Sequence, residues 1–237
     1  MKIFAANWKM YKSPQETREF FAQLLLPAQS QLVLVFPPAL CVESAIESTK
    51  GTQIKIGVQN ISSKSEGALT GENSASVAMS MGCEYALVGH SERRSLFAES
   101  DSVLNQKVKF AQDIGMRCVF CIGETLEQRK SGQTFEVLKN QLQLGLKDVK
   151  SEKLIIAYEP VWAIGTGLTA TPQQAQETQS QVVTWLNENG FSGAPVLYGG
   201  SVKPDNAKEL IQQKSISGFL IGGASLNPES FAQICQS

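Results

Sequence analysis

The sequence predicts a closed (β/α)8 barrel. Three observations carry that expectation: eight short β-rich runs, a stretch of helical period between one run and the next, and polar or glycine residues gathered where the runs end. The runs are KIFAAN (2–7), LVLVF (32–36), IKIGVQ (54–59), YALVG (85–89), RCVFCI (117–122), LIIAY (154–158), APVLYG (194–199) and SGFLIG (217–222). An open doubly wound sheet is the alternative arrangement of the same alternation.

The helical stretches carry start signals. Ser13-Pro14, Thr171-Pro172, Lys203-Pro204-Asp205 and Asn227-Pro228 each place proline just inside a helix, where it loses no hydrogen bond and presets φ. No Pro-, Ser- or charge-rich linker divides the 237 residues, so residues 1–237 are expected to form a single barrel domain. A net charge of −1 gives no basic footprint for nucleic acid. No apolar run reaches membrane-span length, and MKIFAANWKMYKS lacks the apolar core of a signal peptide; the expected location is cytoplasmic, without membrane contact.

Five cysteines are scattered along the chain. Cys118 and Cys121 have CxxC spacing, but within a strand i and i+3 face opposite ways, so both read as core residues. With His90 as the one histidine, a His-rich metal site is excluded, and no metal is expected.

If the runs are parallel strands of one barrel, their C-terminal ends open on a single face. Those ends supply Asn7 and Lys9 after the first strand, His90 after the fourth and Glu159 after the sixth. Each alone is an ordinary rim charge or a structural histidine. Together, a cation, a neutral acid–base group and a carboxylate form a proton-transfer set. Ser91-Glu92-Arg93-Arg94 reads as a helix start with Ser91 as cap, whose partial positive charge disfavours imidazolium and keeps His90 a neutral donor. GGS at 199–201 and GG at 222–223 free backbone amides to approach an anion, a phosphate above all, whereas no dinucleotide or Walker pattern is present.

These residues fall in longer runs: ANWKM (6–10), GALTGE (67–72), ALVGHSERR (86–94), CIGETLEQR (121–129), AYEPVWAIGTG (157–167), YGGSV (198–202) and IGGASL (221–226). Through them the whole chain resembles the triosephosphate isomerase family. The resemblance implies the TIM-barrel form of the fold and a cofactor-free interconversion of dihydroxyacetone phosphate and D-glyceraldehyde 3-phosphate in a homodimer. It implies Glu159 as the base, neutral His90 as the electrophile, Lys9 as the charge beside the oxyanion and Asn7 as a substrate contact. The pairing of a carboxylate base with a neutral histidine, like the closing loop, is a known property of that family. The resemblance further implies a lid with Ala163-Ile164 at its tip, and phosphate contacts from Gly165, Ser201, Gly222 and Gly223. Residues 61–73 are too long for a βα turn. In the family this segment enters the partner subunit, where Thr70 supports the neighbouring Asn7 and Lys9, and Glu92 backs Lys9. Leu168 stands where the family commonly has lysine, which bears on the lid's second hinge.

Two other readings fit the barrel. One is another phosphosugar isomerase, but the aminoaldose type has an acid or thiol where this chain has Lys9. The other is a catalytically silent phosphate-binding scaffold.

Overall fold

A computed structural model describes residues 1–27, 31–164 and 169–237. Eight strands form a closed barrel in chain order: β1 (Ile3–Asn7), β2 (Leu32–Phe36), β3 (Lys55–Val58), β4 (Tyr85–Val88), β5 (Arg117–Ile122), β6 (Leu154–Tyr158), β7 (Val196–Tyr198) and β8 (Gly218–Ile221). Every neighbouring pair is parallel, and β1 closes on β8 with Ile3 opposite Gly218. A side chain at Gly218 would meet the Ile3 carbonyl oxygen at 1.8 Å, and its φ of +153° is one few other residues adopt, so the seam requires glycine. The barrel is the predicted one, not the open sheet.

Alternate residues of each strand enter two cores, as period-two side chains must. Ala5, Leu34, Leu87, Val119, Ala157 and Leu197 fill the interior of the barrel. Phe4, Val35, Val88, Phe120, Ile156 and Phe219 face outward into the helical layer. Cys118 and Cys121 divide the same way, one into each core, and all five cysteines are free and buried. Burial pushes the Cys83 thiol up to about 11 and that of Cys118 to about 12, leaving them protonated and inert at neutral pH.

The outer helices are α1 (Pro14–Gln23), α2 (Val42–Ser48), α3 (Ala75–Met81), α4 (Ser91–Leu96), α5 (Asp101–Asp113), α6 (Leu126–Lys130), α7 (Thr134–Gly145), α8 (Pro172–Glu188), α9 (Pro204–Ile211) and α10 (Pro228–Cys235). Ser13 and Thr171 cap α1 and α8 in reciprocal capping boxes with Glu16 and Gln174. Asn227 Oδ1 accepts the Ser230 N–H to start α10. Lys203 has no capping oxygen, so α9 starts differently: the Asn206 side chain reaches back to accept the Lys203 N–H at 2.8 Å. Among the described residues, no helix is long and apolar enough to cross a membrane.

Candidate active site

A cleft of about 750 Å³ opens at the C-terminal ends of the strands. Asn7, Lys9, His90, Glu159, Ser201, Gly222 and Gly223 all line it, although they come from five different strand ends. Gly165 lies outside the described residues. Thr70 is not among the lining residues; it stands exposed on the loop 61–73, whose ends are joined by the Ser62 N–H to Asn73 carbonyl bond. Glu92 reaches the site by pairing with Lys9.

Lys9 is fixed by its backbone before its side chain acts. Its φ of +51° is unusual for a residue with a Cβ, and such conformations cost about 1–3 kcal/mol. Two neighbours hold it there: Asn7 Oδ1 accepts the Lys9 N–H at 3.0 Å, and Gln59 Nε2 donates to the Lys9 carbonyl at 2.7 Å. The buried Trp8 ring packs on Phe20, and its Nε1 donates to the Ser225 carbonyl, tying this turn to the segment after β8. Lys9 Nζ then reaches Glu92 Oε1 at 2.5 Å, and a Cβ at Gly222 would touch Lys9 Cε at 3.6 Å.

The helix after β4 begins differently from the sequence expectation. Its cap is His90, not Ser91: Nδ1 accepts the Glu92 N–H at 3.3 Å. An Nδ1 that accepts carries no proton, so in the neutral ring the hydrogen sits on Nε2. Nε2 donates to Glu159 Oε1 at 2.9 Å, and the Ser91 N–H, freed by the shift of cap, donates to Glu159 Oε2 at 3.0 Å. Imidazole and carboxylate therefore hold each other inside the protein, His90 6% and Glu159 2% exposed.

Their electrostatics are reciprocal. Burial pushes the His90 pKa down, but the charge and hydrogen bond of Glu159, with the charge of Glu92, outweigh it and raise it above 6.5, opposite to the direction expected from the helix start alone. Burial pushes Glu159 up, yet His90, the Ser91 amide and Lys9 together bring it below 4.5. Glu159 is thus ionised at neutral pH.

After Glu159, Pro160 leads into a tight turn at Val161–Ala163; Ala163 is buried and Ile164 lines the cleft. The turn rests on Glu124, which is fully buried. Trp162 Nε1, Tyr158 Oη and Arg129 Nη1 donate to its Oε1 at 2.9, 3.1 and 3.2 Å. The sequence reading missed Glu124 and Gln59 as supports. Both stand at strand ends, Gln59 closing the run IKIGVQ and Glu124 two residues past Ile122, but that position alone does not say which backbone or side chain each one supports.

A buried carboxylate and imidazole beside a cation, at the mouth of a parallel barrel, are the groups that general acid–base chemistry uses in a barrel protein. Comparison with known proteins narrows the class. Residues 2–237 match the family model for triosephosphate isomerase. The chain is similar to the triosephosphate isomerase of Bdellovibrio bacteriovorus, at 54% identity over 236 residues and 98% of each chain. It is also similar to that of Aquifex aeolicus, at 43% identity over 100% of this chain and 99% of the relative, and that of Fusobacterium nucleatum, at 45% over 99% and 98%. The chain belongs to the triosephosphate isomerase family and by that membership is an isomerase.

Proposed function

We propose that the protein interconverts dihydroxyacetone phosphate and D-glyceraldehyde 3-phosphate through an enediolate, without a cofactor. The observation that carries this is the His90–Glu159 contact: a carboxylate and an imidazole, both buried, beside Lys9. In this reading Glu159 removes a proton from C1 of the ketose. The electron pair becomes the C1–C2 double bond, and negative charge passes to the C2 oxygen, facing the His90 Nε2–H and Lys9 Nζ. The hydroxyl proton moves from O1 to O2 by way of His90. The Glu159 carboxyl returns its proton to C2, giving the aldehyde and restoring the base, so the exchange is redox-neutral.

Both oxygens of Glu159 are engaged, one by His90 and one by Ser91. To act, the carboxylate leaves them, and the substrate carbonyl replaces it as acceptor for His90 Nε2–H. Asn7, Ser201, Gly222 and Gly223 are read as substrate and phosphate contacts, supported by their place in the cleft, and Gly165 as a further phosphate contact. The apolar Ala163-Ile164 tip suits a lid that excludes water during the enediolate's lifetime.

We further infer that residues 1–237 act as one domain within a cytoplasmic homodimer. Exposed apolar side chains support the dimer: Met10 and Tyr11 after β1, Leu40 after β2, and Leu96 and Phe97 after β4, with Met10 94% and Leu96 76% exposed. Of these, Tyr11 lines the cleft, and Thr70 is exposed on the 61–73 loop, poised to support a neighbouring Asn7 and Lys9. A coupled assay of triose phosphate interconversion on purified protein, without added metal or nucleotide, tests the activity. Turnover is expected; a folded chain without turnover favours the scaffold reading.

A further inference from the structure

The position of the catalytic base is set partly from outside the cleft. Strand β5 pairs with β4 only as far as Phe120 opposite Val88. There the β4 chain turns away at Gly89, whose φ is +79°. Strand β5 continues, pairing with β6 through Cys121 opposite Ala157 and Ile122 opposite Tyr158. Among the described residues its far edge is therefore left without a ladder partner at the level of the active site, where unpaired backbone groups are destabilising.

Two side chains close that edge. Arg94 Nη2 donates to the Cys121 carbonyl at 2.9 Å, while its Nε donates to the Gly89 carbonyl at 2.8 Å. Gln141, from helix α7, pairs with both backbone groups of Gly123: Oε1 accepts its N–H at 2.8 Å and Nε2 donates to its carbonyl at 3.0 Å. One carboxamide thus does for Gly123 what a neighbouring strand does elsewhere.

Gly123 is the residue against which Glu159 rests. A Cβ built there would fall 1.9 Å from the Glu159 carbonyl oxygen and 3.3 Å from the Glu159 Cβ. On either side of it, the Ile122 carbonyl accepts the Glu159 N–H at 2.7 Å and the Glu124 carbonyl accepts the Val161 N–H at 3.1 Å. The segment 122–124 is the rail on which the peptide of the base is mounted, and Gln141 holds the middle of that rail.

We propose that Gln141 is a positioning residue for Glu159, acting through the Gly123 peptide. This rests on Glu159 being the base of the reaction proposed above. Gln141 does not line the cleft, so its contribution falls on turnover and leaves substrate binding alone.

The test is steady-state kinetics of triose phosphate interconversion with wild type, Gln141→Ala and Gln141→Glu, alongside inhibition by inorganic phosphate. Gln141 is half-buried, and its alanine variant is expected to fold. Its kcat should fall about tenfold, short of the ~10²-fold that a 1 Å misplacement brings. KM and the phosphate inhibition constant should stay within about twofold, as for a group that acts only in the transition state. Gln141→Glu adds a signature that loosened packing does not produce. Its carboxylate accepts the Gly123 N–H but cannot donate to the Gly123 carbonyl until protonated, so the ratio of wild-type to variant kcat should narrow as pH falls toward the carboxyl range of about 4.3. If Gln141→Ala fails to fold, the glutamate variant carries the test alone. A folded Gln141→Ala with wild-type kcat overturns the proposal, as does a parallel loss of kcat and phosphate affinity, or a pH-independent ratio for Gln141→Glu. An inactive wild type overturns the isomerase reading instead.

Discussion

His90 Nε2 and Glu159 Oε1 stand 2.9 Å apart, with 8% and 2% of the two side chains exposed. The imidazole titrates above 6.5 because the carboxylate charge overcomes burial. Glu159→Gln removes that charge and leaves burial dominant, so the His90 titration should move down. With one histidine in the chain, its ring proton resonance followed by NMR reads the shift directly. An unchanged titration contradicts the pairing.

The same pair sets a pH dependence of stability. Glu159 titrates below 4.5 in the folded chain, so its contribution is present above the unfolded value and lost as pH falls through the folded one. His90, raised above 6.5, contributes in the opposite sense: fully below 6.5, and progressively less as pH rises through its folded value. Calorimetry should find the Tm difference between wild type and Glu159→Gln narrowing as pH drops below 4.5.

Lys9 is placed to meet charge developing on the substrate oxygen. Lys9→Met should lower kcat by about 10²–10³, the scale for removing one preorganised charge-stabilising group. Its partner Glu92 is 42% exposed, and exposed ion pairs contribute about 0–1 kcal/mol, so Glu92→Gln should leave thermal stability almost unchanged. Initial-rate kinetics and melting curves separate the two roles.

Two glycines flank the base and should respond differently. A Cβ at Gly199 would lie 3.0 Å from Glu159 Cγ, a contact with a side chain that can shift. Gly199→Ala should fold yet lose turnover as the carboxylate is crowded. At Gly123 the obstacle is backbone, 1.9 Å away. Gly123→Ala should lose at least about 1–3 kcal/mol by overpacking, a fall in Tm of several degrees or a failure to fold.

Assembly has its own check. Sedimentation velocity should find a species of twice the 25.7 kDa chain mass. Thr70→Arg, placed at the tip of the exposed loop, should shift it toward monomer and lower activity together. A fully active monomer contradicts the homodimer reading.

Much of this architecture is legible in the sequence for a physical reason. LVLVF, RCVFCI and LIIAY form strands over the ranges expected because barrel strands are covered on both faces and read as unbroken apolar runs. IKIGVQ, YALVG and APVLYG are trimmed where the ladder ends, as at Gly89, which takes a left-handed φ. Asn7, Lys9, His90 and Glu159 converge because parallel strands deliver their ends to one rim. What stayed hidden depends on contacts between distant residues. Gln59 and Gln141 act through backbone groups 50 and 18 residues away; Gln59 at least ends a strand run, but no local pattern gives either its partner. His90 displaced Ser91 as cap because its ring reaches the Glu92 amide, leaving the Ser91 N–H for a carboxylate 68 residues on.

The most direct test of Glu159 as the proton carrier is conversion of dihydroxyacetone phosphate in D2O, with the product trapped and its C2 examined for deuterium. Wild type should form glyceraldehyde 3-phosphate carrying deuterium at C2, and Glu159→Gln should slow product formation by about 10²–10⁴-fold, the range for loss of a general base. Product formed at the wild-type rate by Glu159→Gln, or wild-type product without deuterium at C2, would contradict a carboxylate that exchanges its proton with solvent between the two carbons.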